Sequence, residues 1–206
     1  MGLYHDRIVP RLVHWALRAE EFASVRAETV RGLSGEVLEI GFGSGLNLPY
    51  YPPEVRRLLA VEPSGTAWEL ARTAIEAAPF PVELAGETAE SIPLPDASVD
   101  AAVSTWTLCT IPDAGQALRE VRRVLRPGGV FRFLEHGRSD EPHVARWQDR
   151  LTPLQKRLAG GCHINRPIGR LIEDAGFALE DMKTYYARRP KTVFFFYHGT
   201  AEKSLT

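Results

Sequence analysis

The sequence predicts an α/β fold, a doubly wound and mostly parallel sheet with helices on both faces. Three observations predict it. Residues 36–47 (EVLEIGFGSGLN) run from a short apolar strand into glycines on alternate positions and then towards a helix. Glu62 closes the next apolar run, 21 residues after Gly41, near the spacing of about 20 at which such sheets place a ribose-binding acid. Downstream, apolar runs alternate with helical patterns, and the last two strand-like segments follow one another directly.

Composition sets the outer limits. The chain has 206 residues, 44% hydrophobic and 25% charged, with a formal net charge of −1. That is ordinary for one sizeable domain spanning 1–206, and it supplies no global basic field for nucleic acid or an acidic membrane. The two cysteines, Cys109 and Cys162, lie far apart and predict free thiols in a reducing, cytoplasmic setting. No basic segment followed by an apolar stretch opens the chain, and no apolar run of about 18 residues exists, so neither export nor a membrane span is expected.

Taken in order, residues 3–31 predict a helix in which Leu12, Trp15, Ala16, Ala19, Phe22 and Ala23 share one face. Pro10 suits its first turn, after a short piece from Tyr4 to Val9. Gly32 to Gly35 end it. Val37 to Ile40 form the first strand, whose β-branched residues favour extension. After the glycine loop a helix starts near Asn47 and must be short, because Pro52-Pro53 close it. Arg57 to Glu62 form the second strand. Ser64 caps a helix to Ala78 that packs through Ala67, Leu70, Ala71, Ala74, Ile75 and Ala78. Val82 to Ala85 form the third strand.

Val99 to Thr105 read as a central strand covered on both faces. Because ligands bind outside the carboxyl ends of such strands, Thr105, Trp106 and Leu108 are expected at the mouth of a pocket. Asp113 to Leu125 form a helix, and Gly128 can take a left-handed cap conformation. Val130 to His136 form the fifth strand, in which Arg132 must snorkel or meet an acid. Glu141 to Leu158 are helical, interrupted or restarted at Pro153. The loop 160–167, GGCHINRP, leads to a helix from Ile168 to Ala175. Phe177 to Ala187 and Thr192 to Tyr197 form the closing antiparallel pair around a turn at Arg188–Lys191.

The glycine loop reads Gly41-x-Gly43-x-Gly45, with Leu46 where a dinucleotide fingerprint needs a third small residue, and no Gly-Lys-Ser/Thr follows. By itself it is either a nucleotide loop or a tight turn that binds nothing. The string VLEIGFGSG resembles motif I of class I S-adenosylmethionine (SAM) methyltransferases. GETAES with DASVD, and LREVRRVLRPGG, resemble the type 11 methyltransferase group. LEIGFGSGLNLPYYP, TLCTI, FLEH and GCHINR extend the likeness to the methyltransferase-like thiol S-methyltransferases of animals.

That resemblance implies a Rossmann-like, seven-stranded mixed sheet of order 3-2-1-4-5-7-6, with SAM as cofactor. It implies that the glycine loop (Gly41, Phe42, Gly43, Gly45) and Asn47 face the methionine end, with Glu39 near its amino group. Glu62, Pro63 and Ser64 would meet the ribose, and Glu87, Thr88 and Ala89 would bracket the adenine. Residues 1–31 would be a lid, with Tyr4 and Arg7 taking part. The acceptor side would draw on Tyr4, Cys109, His136, Cys162 and His163, and His136 or His163 would serve as general base where one is needed.

The resemblance further implies a small, fairly apolar acceptor: a thiol, a phenol or quinol, or an amine. A non-catalytic SAM-binding protein and an NAD-type oxidoreductase are the alternatives. No metal is expected, since neither a C-x-x-C nor an H-x-x-x-H pair occurs and no acidic cluster for Mg²⁺ is evident. The expected partner is a small molecule only, with no nucleic acid and no membrane span, and the chain a monomer or homodimer.

Overall fold

The computed structural model describes residues 8–205. The expected lid residues Tyr4 and Arg7 lie outside them. Seven strands form one sheet in the order β3-β2-β1-β4-β5-β7-β6. They are β1 (Gly35–Ile40), β2 (Val55–Val61), β3 (Val82–Gly86), β4 (Val99–Thr105), β5 (Leu125–His136), β6 (Ala178–Tyr186) and β7 (Phe195–Glu202). The first five are parallel, and β7 is antiparallel to both β5 and β6. The expected order and the closing hairpin are both present.

Helices cover both faces because successive strand side chains alternate. Leu38 and Ile40 of β1 pack with Leu59, Phe131 and Phe133 against α4 (Ala114–Val124) and α6 (Ile168–Asp174). Val37 points the other way, with Leu58, Ala60 and Val103, towards α2 (Ala23–Val30) and α3 (Gly65–Glu76). Local chemistry sets the helix starts. The Ser64 hydroxyl accepts from the Ala67 amide at 3.2 Å, and Asp113 accepts from the Gln116 amide at 2.8 Å.

Several expected boundaries change. The single helix over 3–31 is broken: α1 (Val9–Leu17), a short 3₁₀ turn (Glu20–Phe22) and α2 follow one another. Ala19 is extended between the first two, with ψ at 138°. Of the expected apolar face only Phe22 is buried; Leu12 and Trp15 are 54% and 79% exposed. The stretch after the glycine loop forms only a 3₁₀ turn, Leu48–Tyr50, because Pro49 and Pro52 leave no room for α-helical hydrogen bonding.

β5 begins at Leu125, not Val130. Its pairing with β4 shifts between Val99↔Leu125 and Ala101↔Val130, and Gly128, at φ +73°, sits in that irregularity rather than in a helix cap. Pro153 does not break α5 (Pro142–Leu158). β7 starts at Phe195 and runs to Glu202, displaced from the expected Thr192–Tyr197. Its polar half pairs on both sides, Thr200 with Arg132 and with Asp181.

Arg132 is half-buried and lines a small polar cavity with Glu28, Asp181, Lys183 and His198. Its Nε is buried without a hydrogen-bond partner. Among the described residues no helix is long and apolar enough to cross a membrane.

Candidate active site

The carboxyl ends of β1, β2 and β4 meet beside the glycine loop. The loop turns back at once after β1. Gly41 and Phe42 both donate to the Val61 carbonyl, at 2.9 and 3.2 Å. Gly41 and Gly43 have φ of +66° and +59°, a region that side chains rarely tolerate. The reasons for glycine differ. A Cβ on Gly41 would lie 2.0 Å from the Thr107 hydroxyl, whereas one on Gly43 would meet nothing nearer than the Gly41 carbonyl at 3.8 Å. The space above Gly43 is open. The Phe42 side chain turns inward against Trp68, ring centres 5.3 Å apart, so only its backbone belongs to the loop surface.

Glu62 stands where the sequence predicts. Its carboxylate accepts from the Gly43 amide at 2.7 Å and from the Ser64 amide at 2.8 Å. Burial pushes its pKa up, against these two hydrogen bonds. Pro63 is exposed beside it. At the end of β3, Glu87 and Thr88 are exposed, Thr88 donates to Glu90 at 2.8 Å, and Ala89 is buried in the core. Leu108 is also wholly buried in the core rather than presented at the mouth.

Beneath the loop lies a buried polar network that the sequence did not announce. Asn47 Nδ2 donates to Glu39 at 2.7 Å and to the Thr105 hydroxyl at 3.1 Å, while its Oδ1 accepts from Arg26 at 2.7 Å. The Tyr51 hydroxyl donates to the other Glu39 oxygen at 2.8 Å. Burial raises the Glu39 pKa to about 7, despite Tyr51, Asn47 and Arg26, which all favour the anion. The Arg26 guanidinium also lies over the Trp106 ring, 4.6 Å from its centre. From sequence Tyr51 could either face the pocket or cover the sheet edge, and it does the former from below, bonded to Glu39; Arg26 carries no such signal, being a lone arginine in a helical pattern. Trp106 takes φ +52° and its indole Nε1 is buried without a partner.

The edge beyond β4 and β5 is aromatic. His136 packs edge-on against Phe196 with ring centres 4.8 Å apart, and near Phe194 and Trp106 at 6.4 and 6.5 Å. Burial in these rings lowers its pKa to about 4, so the imidazole is neutral at physiological pH. Its Nδ1 is buried and unpartnered. His163 is half-exposed; its backbone amide and Nδ1 both donate to the Cys109 carbonyl, at 2.7 and 3.2 Å, which leaves Nε2 as the acceptor. Cys109 and Cys162 are both free and buried, and they share a small cluster with Ile164.

Comparison with known proteins gives this geometry its context. Residues 38–133 match the family described as a methyltransferase domain. Thiol S-methyltransferase TMT1A of Homo sapiens is 32% identical over 184 residues, 85% of this chain and 71% of that protein. Thiol S-methyltransferase TMT1B of Rattus norvegicus is 33% identical over 171 residues, 78% of this chain and 67% of that protein.

Among solved structures, an S-adenosylmethionine-dependent methyltransferase from Mesorhizobium loti superposes with a TM-score of 0.64 at 18% identity, covering 89% of this chain and 98% of that one. The [4+2]-cyclase SpnF superposes at 0.72 and 18% identity, covering 89% and 80%. At such identities the likeness shows the fold alone, and a cyclase among the neighbours illustrates that fold does not fix reaction. Sequence family, sheet order and glycine loop agree: the chain belongs to the class I SAM-dependent methyltransferases, in the type 11 group.

Proposed function

We propose that this methyltransferase acts on a small, largely apolar acceptor, a thiol first and a phenol, quinol or amine next. The observation that carries this reading is the neutral His136 among Trp106, Phe194 and Phe196 at the carboxyl edge of β5, next to two buried thiols. The rings form an apolar wall that suits a small, largely apolar molecule, with the Arg26 and Arg188 guanidinium groups stacked on Trp106 and Phe194 at its margin. Relatives named thiol S-methyltransferases support the first choice.

The chain's residues fit the cofactor. Open space above Gly43 lets a ligand approach the backbone, and the Glu62 carboxylate stands beside it. SAM supplies an electrophilic methyl on a sulfonium sulfur. The loop backbone from Gly41 to Gly45 would hold the methionine end, Glu62 the ribose hydroxyls, and Glu87 and Thr88 the adenine side. Asn47 and Thr105 hold the loop's underside, with Glu39 buried beneath it. Alignment of donor and acceptor at such a site is worth roughly 7–11 kcal/mol. A thiolate needs little beyond that. For a hydroxyl acceptor the His163 Nε2 is the better placed proton acceptor, because His136 is too weak a base near neutral pH.

The test is a panel assay with methyl-labelled SAM over small thiols, phenols, quinols and amines. Labelled thioethers from apolar thiols are expected. Labelled ethers or amines without thioethers would move the acceptor class. Stoichiometric SAM binding with no transfer to any of them would favour the non-catalytic reading instead.

A further inference from the structure

Three groups that the sequence keeps far apart converge on the acceptor side of the sheet. Cys109 follows β4, His136 ends β5, and Cys162 lies in the loop between α5 and α6. Each offers one ligating atom, and these atoms lie within 4.8 Å of one another. The cysteines are 1% and 6% exposed. A tetrahedral zinc with Zn–S near 2.3 Å and Zn–N near 2.0 Å needs its ligands roughly 3.4–3.8 Å apart, a contraction of about 1 Å here.

Two further observations set the trio apart from a chance cluster. A buried polar atom normally finds a partner, yet the His136 Nδ1 has none although it is wholly inaccessible. The Arg166 guanidinium lies near both sulfurs and is fixed by the Leu108 and Pro112 carbonyls. The two cysteines hydrogen-bond each other, which together with burial pushes the Cys109 thiol well above its ordinary pKa, and Cys109 Sγ also reaches the Trp106 carbonyl at 3.6 Å.

The geometry points to a Cys₂His site for a soft divalent ion, zinc above all, formed by Cys109, His136 and Cys162 with a fourth position open towards the acceptor. Three protein ligands and one open position are the pattern of reactive rather than structural zinc. In this site an acceptor thiol enters as the fourth ligand: its S–H bond breaks, the proton passes to buffer, and a Zn–S bond forms that holds the sulfur as thiolate. Zinc is drawn from solution as the free divalent ion, with no change of oxidation state; as its bonds to Cys109 and Cys162 form, their two S–H bonds break and both protons pass to buffer. The entry of an acceptor thiol rests on the thiol reading above; the three-ligand site does not.

The experiment uses the 206-residue chain purified under reducing conditions, first metal-free and then loaded with zinc or cobalt(II). Stoichiometric zinc, protection of both thiols from iodoacetamide in the presence of zinc, and intense thiolate-to-cobalt absorption are expected. Cys109→Ser and Cys162→Ser should each remove most of that absorption while retaining SAM binding, which reports on their folding. Addition of a small apolar thiol to the cobalt protein should shift its visible bands.

Alkylation of both thiols at the same rate with and without zinc, or a Cys109–Cys162 disulfide as the resting form with no zinc uptake by the reduced protein, would overturn the site. Metal uptake without a spectral change on adding thiol would overturn the open position. These readouts require no turnover, so they fail separately from the panel assay for the acceptor.

Discussion

The Gly43 amide donates to the Glu62 carboxylate at 2.7 Å, and so ties the loop after β1 to the end of β2. The same carboxylate takes the Ser64 amide, at the start of α3. One acid therefore sets the height of the glycine loop and the entry of the following helix, and it is the residue proposed above to hold the ribose hydroxyls.

Glu62→Ala should weaken SAM binding at least tenfold, because a hydrogen bond to a charged group is worth about 1.5–3 kcal/mol. Glu62→Gln should fall between the two. Titration calorimetry with SAM and with S-adenosylhomocysteine checks this. An unchanged affinity would mean that Glu62 only ties the two turns together.

Gly41→Ala and Gly43→Ala should separate packing from binding. Both positions carry the left-handed backbone, which costs a residue with a Cβ about 1–2 kcal/mol. At Gly41 the new methyl also meets the Thr107 side chain at 2.0–2.6 Å, so the cost should exceed about 3 kcal/mol and the yield of folded protein should drop. At Gly43 the fold should survive with little more than the backbone cost, and SAM binding should be lost. Urea unfolding and calorimetry on the two variants read the two effects apart.

Glu135 should make the protein less stable as pH rises. Its carboxylate is wholly buried, accepting from the Ser104 hydroxyl at 2.5 Å and the Thr107 amide at 3.1 Å, and burial raises its pKa to about 7. The folded state thus holds a proton that the unfolded chain releases near pH 4.5. Its contribution is complete below that value and is lost as pH climbs through about 7. Glu39, also raised to about 7, acts with the same sign, while His136, lowered to about 4, acts with the opposite one between pH 4 and 6.5. Comparison with Glu135→Gln isolates the single group. The variant's stability advantage should grow from pH 5 to pH 8 by up to about 3 kcal/mol. Urea midpoints at each pH give the difference, and a constant gap would show that Glu135 is charged in the folded state throughout.

What could be read in the sequence was what local chemistry decides. Gly41, Gly43 and the strand before them specify their turn within a few residues. Glu62 follows because a parallel sheet brings the end of β2 beside that turn. β7 was misplaced because its pairing, not its hydrophobicity, makes it a strand: His198 to Glu202 look like a polar tail but lie between β5 and β6. Amphipathic spacing gave α1 a core face, yet that face is exposed at Leu12 and Trp15. Cys109, His136 and Cys162 meet only because three strand ends and loops open on one edge of the sheet. No spacing motif marks such a juxtaposition, so motif spacing alone does not reveal it.

α1 should behave as a latch over the glycine loop. None of its residues is buried, and its side-chain link to the loop runs from His14 Nδ1 to the Ser44 hydroxyl at 2.7 Å. A helix held so lightly opens far more often than the sheet beneath it. Losing a hydrogen bond of about 1 kcal/mol raises the open population roughly fivefold. His14→Ala should therefore speed trypsin cleavage after Arg11 and Arg18 by about that factor, as long as reclosing outpaces cutting. SAM should slow cleavage in the parent protein if residues 1–31 close over the cofactor, and Ser44→Ala should reproduce the His14→Ala rate. Equal cleavage rates in all three proteins, with and without SAM, would mean that α1 is held by other contacts and plays no part in enclosing the site.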